Sequence, residues 1–214
     1  LSTDQLVGLT TEQVRSLTSA QVTLLTTDQL NKIATEDLQA LSSAQVRALT
    51  TAQVSKLSTD QLVALTTSQV QSLSTGQVAS LTSDQLNKIA TDDLQALSSA
   101  QIRALTTDQI SKLATAQVAA LATADLAAMT SDQLVKLSTD AIKALTSDQV
   151  KSLTSSALNA LTSAQLTAIE TADIAVMTTD QISKLSSAQV SVLSTAQLVG
   201  LTTAQVRSLT SGQV

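Results

Sequence analysis

Along the chain, aliphatic residues return in a fixed alternation of five and three positions, with short polar runs between them. Leu9-Thr10-Thr11-Glu12-Gln13-Val14-Arg15-Ser16 is representative. Position 1 of this eight-residue unit is Leu, Ile or Met in all 27 copies, position 3 is always Ser or Thr, and position 6 is always Val, Leu or Ile. Position 2 is Ser or Thr in 22 copies and position 5 is Gln in 21. Internal repetition at a fixed short period is the signature of a stacked-repeat architecture. A longer echo also runs through the array. The stretch from Leu25 beginning LTTDQLNKIATEDLQALSSAQVRAL returns from Leu81 as LTSDQLNKIATDDLQALSSAQIRAL, as expected of growth by internal duplication.

Each octad carries a complete helix-start signal. With Thr10 at the N-cap, Gln13 falls at the third helical position and the pair forms a reciprocal capping box, while Leu9 and Val14 are spaced as a hydrophobic staple. Charge placement agrees: all 17 acidic residues occupy positions 2, 4 or 5, and all 12 basic residues occupy positions 7 or 8. Acids near a helix start and bases near its end suit the helix dipole. Five lysines follow an aspartate by four residues, in Asp28/Lys32, Asp84/Lys88, Asp108/Lys112, Asp132/Lys136 and Asp180/Lys184, the spacing of a helical surface pair. Where position 2 lacks a hydroxyl, at Ala34, Ala90, Ala122 and Glu170, position 5 becomes Asp37, Asp93, Asp125 and Asp173, which suggests that the two positions touch; Ala114 with Gln117 departs from this.

A single long helix is disfavoured, because eight residues at ~100° each rotate the apolar stripe by ~80° per octad, so it never faces one partner. A β-solenoid is the alternative to weigh. There positions 1 and 6, of opposite parity, would point to opposite faces of a strand, and the Gly and Asn of tight corners are missing. The spacing predicts an all-α repeat solenoid of very short helices, one per octad, bending between positions 1 and 2. About three repeats would make a coil, and the small residues of position 8 would let segments approach closely. A lone octad cannot hold itself together, since isolated helices shorter than ~12 residues are marginal in water, so stacking must supply the stability. About nine coils at ~8–10 Å each give a rod on the order of 80 Å. Because residue 1 is Leu rather than an initiator Met and Val214 falls in mid-octad, we read residues 1–214 as one continuous array and a window of a longer protein.

Composition narrows the chemistry. The chain contains no His, Cys, Pro or aromatic residue, only 4 Gly, and carries a net charge of −5. Without His or Cys there is no acid–base group tuned near neutral pH, no thiol nucleophile and no soft metal ligand. The expectation is no enzyme, no cofactor and no metal site. An acidic chain without rings offers nucleic acid neither a basic field nor a stacking platform. No run of 18 apolar residues predicts membrane insertion, and nothing points to a small-molecule substrate. The paired acids Asp92-Asp93 and Glu36-Asp37 lack the glycine-turn loop of calcium sites. Met129 and Met177 stand at position 1 and read as core. No catalytic, cofactor-binding or metal-ligating residue is assigned. The hydroxyls of positions 2 and 3 read as caps and backbone partners rather than as an ice- or carbohydrate-binding array or glycosylation acceptors.

The phrase L-[ST]-[ST]-x-Q-[VLI]-x-[AS], copied end to end over all 214 residues, resembles the octapeptide arrays of very large bacterial secreted and surface proteins of the adhesin type. That resemblance implies an extracellular or cell-surface rod, stalk or spacer, with export signals and adhesive heads outside this window. The glycine-rich calcium-binding nonapeptides found elsewhere in some such proteins are absent. The LTTEQV start at Leu9 is also similar to the helix opening of plant-pathogen DNA-reading repeats, but the octad is too short and too acidic for that family. Alternative expectations are a self-assembling extracellular filament, with rods associating side by side or end to end, and a Thr-lined binding surface.

Overall fold

The computed structural model describes residues 1–214. It is all-helical: 26 α-helices of four to six residues, one per octad, with no strand. The α-solenoid reading therefore holds over the β-solenoid. The helix Thr51–Lys56 shows why the octad folds as it does. Thr50 sits at the N-cap with extended backbone (φ −71°, ψ 158°), its hydroxyl accepting from the Gln53 N–H at 3.1 Å while the Gln53 Oε1 accepts from the Thr50 N–H at 2.7 Å. Both halves of the capping box are thus present. At the other end the Leu57 N–H donates to the Val54 carbonyl at 3.2 Å, closing a last tight turn, and Leu57 itself is extended.

Two consecutive extended residues, position 1 and the N-cap, thus make most of the corners. No residue has a positive φ and no peptide is cis, which is why a chain with 4 Gly and no Pro bends at every octad. Strand solenoids need left-handed glycines or asparagines at tight corners. Here the ordinary entry into a helix does the turning.

The helices gather into two compact units, Leu1–Leu105 and Thr106–Val214. In the first, the helix Thr27–Lys32 packs on Thr51–Lys56, that helix on Thr75–Ser80, and that one on Ser99–Ala104. In the second, the column Thr107–Ser111, Ser131–Leu134, Ser155–Ala160, Thr179–Lys184 and Thr203–Ser208 stacks in the same way. Every such step skips two octads, so three octads make one coil in each unit, the number expected from the sequence.

The core of each unit is lined by positions 1 and 6. Position 6 is almost completely sealed wherever coils lie above it, as at Val54, Leu86, Leu126 and Leu158, and Met129 and Met177 take their place among the buried position-1 residues. A third inward position joins them, because the position-5 glutamines from Gln45 to Gln205 are buried too. The periodicity of the octad marks only the two aliphatic rows as inward.

Candidate functional site

The buried glutamines are the organising feature of this molecule. Gln53 spends its Oε1 on its own N-cap, which leaves the Nε2 group to be satisfied. Its Nε2 donates to the carbonyls of Val22 at 3.1 Å, Thr23 at 3.3 Å and Leu25 at 2.7 Å. These carbonyls lie at the end of one helix and the following corner in the preceding coil, where helix C-termini leave acceptors unfilled. Gln77 repeats the arrangement on Val46, Arg47 and Leu49. In the second unit, Gln181 does so on Val150, Lys151 and Leu153, and Gln205 on Ile174, Ala175 and Met177. Gln45 makes the same pair of contacts with Arg15 and Leu17. One side chain therefore starts its own helix and ends another, and the result is a ladder running along each unit. No buried side-chain polar atom is left without a partner, so the polar line inside the core carries no desolvation debt.

Within one octad, the spacing of Gln from the N-cap points only to its capping role. A signal for the second role is nevertheless present: a capping box accepts Glu as readily as Gln, yet Glu never occurs at position 5. Only the amide has a donor left over.

Asp at position 5 works differently. Asp37 accepts from the Thr11 hydroxyl at 2.6 Å, Asp93 from Thr67 at 2.7 Å, and Asp173 from Ser147 at 2.6 Å, each donor standing at position 3 one coil earlier. In these copies the N-cap residue makes no side-chain cap, and the acid sits in the first helical turn, where it suits the dipole. In the Gln copies, positions 2 and 5 do touch, through the cap and, at Ser42 and Gln45, directly between hydroxyl and Oε1 at 2.7 Å. Ala114 keeps half a box, its N–H donating to the Gln117 Oε1 at 3.0 Å, because that half needs only backbone.

Position 8 packs against position 3 of the preceding coil. Ser72, Ser80 and Ser152 donate their hydroxyls to the carbonyls of Ser43, Thr51 and Thr123. At Gly200 there is no room for a side chain, since a Cβ there would collide with the Thr171 Cγ2.

The surface carries charge in columns. In the first unit, Glu12, Glu36, Asp60 and Asp84 are exposed on four successive helices of one stack; Lys32 and Lys56 share another stack, and Lys88 lies on the acidic one. In the second unit, Asp108, Asp132 and Asp180 run beside Lys112, Lys136 and Lys184 on a single stack, all exposed. No group of three or more acidic side chains is placed to hold a metal ion. Asp92 is exposed, and Glu36 accepts from the neighbouring Thr35 hydroxyl. The depressions between coils are shallow and lined by repeat residues, such as that bounded by Arg47, Gln71, Ser74 and Gln101, or the one between Lys143 and Glu170. No helix is long and apolar enough to cross a membrane.

Among known families, the ALTTAQ repeat matches residues 1–32, 30–67, 56–88, 86–123, 118–155 and 166–203. The hexapeptide of its name stands unaltered at Ala48–Gln53. No curated protein matches the sequence. The matches cover residues 1–155 and 166–203, and the chain belongs to the ALTTAQ repeat family.

Proposed function

We propose that the chain is a load-carrying stretch of an extracellular bacterial surface or secreted protein of the adhesin type, a stalk or spacer whose reach is set by the number of coils. The observation that carries this reading is the glutamine ladder, which recurs along each unit and ties every coil only to its neighbours. A structure held together in this way is quasi-one-dimensional, so length can be added or removed without redesigning a core. Membership of a repeat family and the internal duplication at Leu25 and Leu81 support a structural role. The extracellular placement rests on the likeness of the octapeptide to secreted arrays. On this reading the chain performs no catalysis, in keeping with a sequence that lacks His and Cys.

Deletion of one whole coil, residues 49–72, tests the structural part. The helical signal per residue should be unchanged, and the maximum dimension in small-angle X-ray scattering should fall by one coil spacing, about 8–10 Å. Loss of folding, or no change in dimension, contradicts the spacer. Antibody raised against the chain should label intact cells of the source organism; labelling only after permeabilisation overturns the extracellular placement and leaves the spacer standing.

A further inference from the structure

One joint inside the second unit is held differently from its neighbours. Position 5 is Gln in 21 copies and Asp in four, and only Ala141 and Ala157 are neither. Both are buried, 1% and 5% exposed, on the helices Thr139–Lys143 and Ser155–Ala160. Each N–H still donates to its cap hydroxyl, on Ser138 and Thr154, at 3.1 Å, but a methyl group returns nothing to the N-cap and sends nothing to the coil before. The carbonyls of Leu113 and Met129 stand where those of Leu121 and Leu153 receive Gln149 and Gln181, and no glutamine reaches them. Both departures fall on one interface. Residues 137–160 form the coil that stacks on residues 113–136, and Ala141 and Ala157 belong to two of its three helices. The side-chain hydrogen bonds between these two coils all come from the third helix, Ser147–Ser152. Gln149 donates to Val118, Ala119 and Leu121, and Ser152 to Thr123. The following coil reaches past the joint once, from Gln165 to the Leu134 carbonyl at 3.0 Å. At the next interface each helix of residues 161–184 contributes: Gln165 donates to Leu137, Asp173 accepts from Ser147, and Gln181 donates to Val150, Lys151 and Leu153. The shortest helix of the chain, Ser131–Leu134, also lies at the thinly bonded joint, packed on Ser155–Ala160. Ile142 and Leu158 stay sealed, so the aliphatic row runs through it unbroken.

We infer that this joint is the yield point of the second unit, where residues 137–160 part from residues 113–136 more readily than from residues 161–184. Aliphatic burial is non-directional and holds the joint closed at rest. The rungs are what fix one coil on the next, and here one helix in three supplies them. In a stack whose coils hold only their neighbours, the weakest contact sets where partial opening begins. The weakness is a property of the coil interface itself; its use rests on the spacer reading. In a spacer under tension the unit gives at a set place, and its other coils stay wound.

Native-state hydrogen exchange on the 214-residue chain tests this. Helical amides of residues 139–160 should be protected about tenfold less than those of residues 163–184, the worth of the missing rungs. Ala141→Gln with Ala157→Gln supplies those rungs and should remove the difference while leaving protection in residues 1–105 unchanged. Gln149→Ala takes away the remaining one and should widen the difference about tenfold further. Equal protection of the two coils in the parent overturns the inference, whether or not the glutamine pair folds. So does a difference that persists in a folded glutamine pair. Neither result bears on the spacer, which the coil deletion addresses; a weak joint in a chain that fails that test would stand without its use under load.

Discussion

Gln77→Glu should destabilise the first unit by on the order of 3–5 kcal/mol at neutral pH, an effect out of proportion to the exchange of one amide for a carboxylate. Gln77 is 1% exposed. The substitution spares the capping box, since an Oε1 still accepts from the Ser74 N–H, a contact of 2.7 Å. It removes the donor to Val46, Arg47 and Leu49 and sets a negative charge against three carbonyl oxygens. An ionised group buried without a counter-charge or a donor is among the most costly single changes available to a protein. The pH dependence follows in sign. Burial and the facing carbonyls disfavour the charged form, so the introduced carboxyl is harder to ionise folded than unfolded. The penalty is therefore absent below the unfolded chain's ordinary value of about 4.3 and grows as pH rises above it. Gln5→Glu provides the contrast, because Gln5 is exposed and makes only the box; it should cost less than about 0.5 kcal/mol. Thermal midpoints at pH 7 and pH 4 measure both. Equal effects of the two substitutions contradict the ladder.

The second large effect concerns the aliphatic row. Leu158→Ala should cost about 3 kcal/mol, since Leu158 is fully buried in the helix Ser155–Ala160, which packs between Ser131–Leu134 and Thr179–Lys184. Leu198→Ala, at the same octad position, should cost less than about 1 kcal/mol, because the side chain is already partly in water. Hydrogen exchange should localise the damage from Leu158→Ala to the adjoining coils, as expected where each repeat contacts only its neighbours. Uniform loss of protection through the unit would show a more globally shared core.

Much of this fold is legible in the octad. The capping box at Thr10 and Gln13, the inward rows at positions 1 and 6 and the small residue at position 8 are all local or periodic, and periodicity is what a sequence displays most directly. Even the three-octad coil leaves a trace in the spacing of Lys112 and Lys136. The ladder is less visible, because Gln53 meets Leu25 across a full coil, 28 residues away, and no local rule links them. Its one sequence sign is negative, the absence of Glu from position 5. The hydroxyl rungs, such as Thr11 to Asp37, are hidden for the same reason. In the copies that lack a position-2 hydroxyl, the Asp at position 5 reflects a carboxylate bonded to the coil below, a partner that only the stacked structure supplies. The charge columns emerge only once the octads are wound three to a coil.

The most direct test of the account is side-chain amide exchange in a chain labelled with ¹⁵N at glutamine. The ladder predicts two classes. The Nε2 protons of Gln53, Gln77, Gln181 and Gln205 should exchange slowly and report hydrogen bonding, while those of Gln71, which is exposed at position 7, should exchange as in free glutamine. Uniformly fast exchange across all glutamines in a folded, helical chain would show that no such ladder exists.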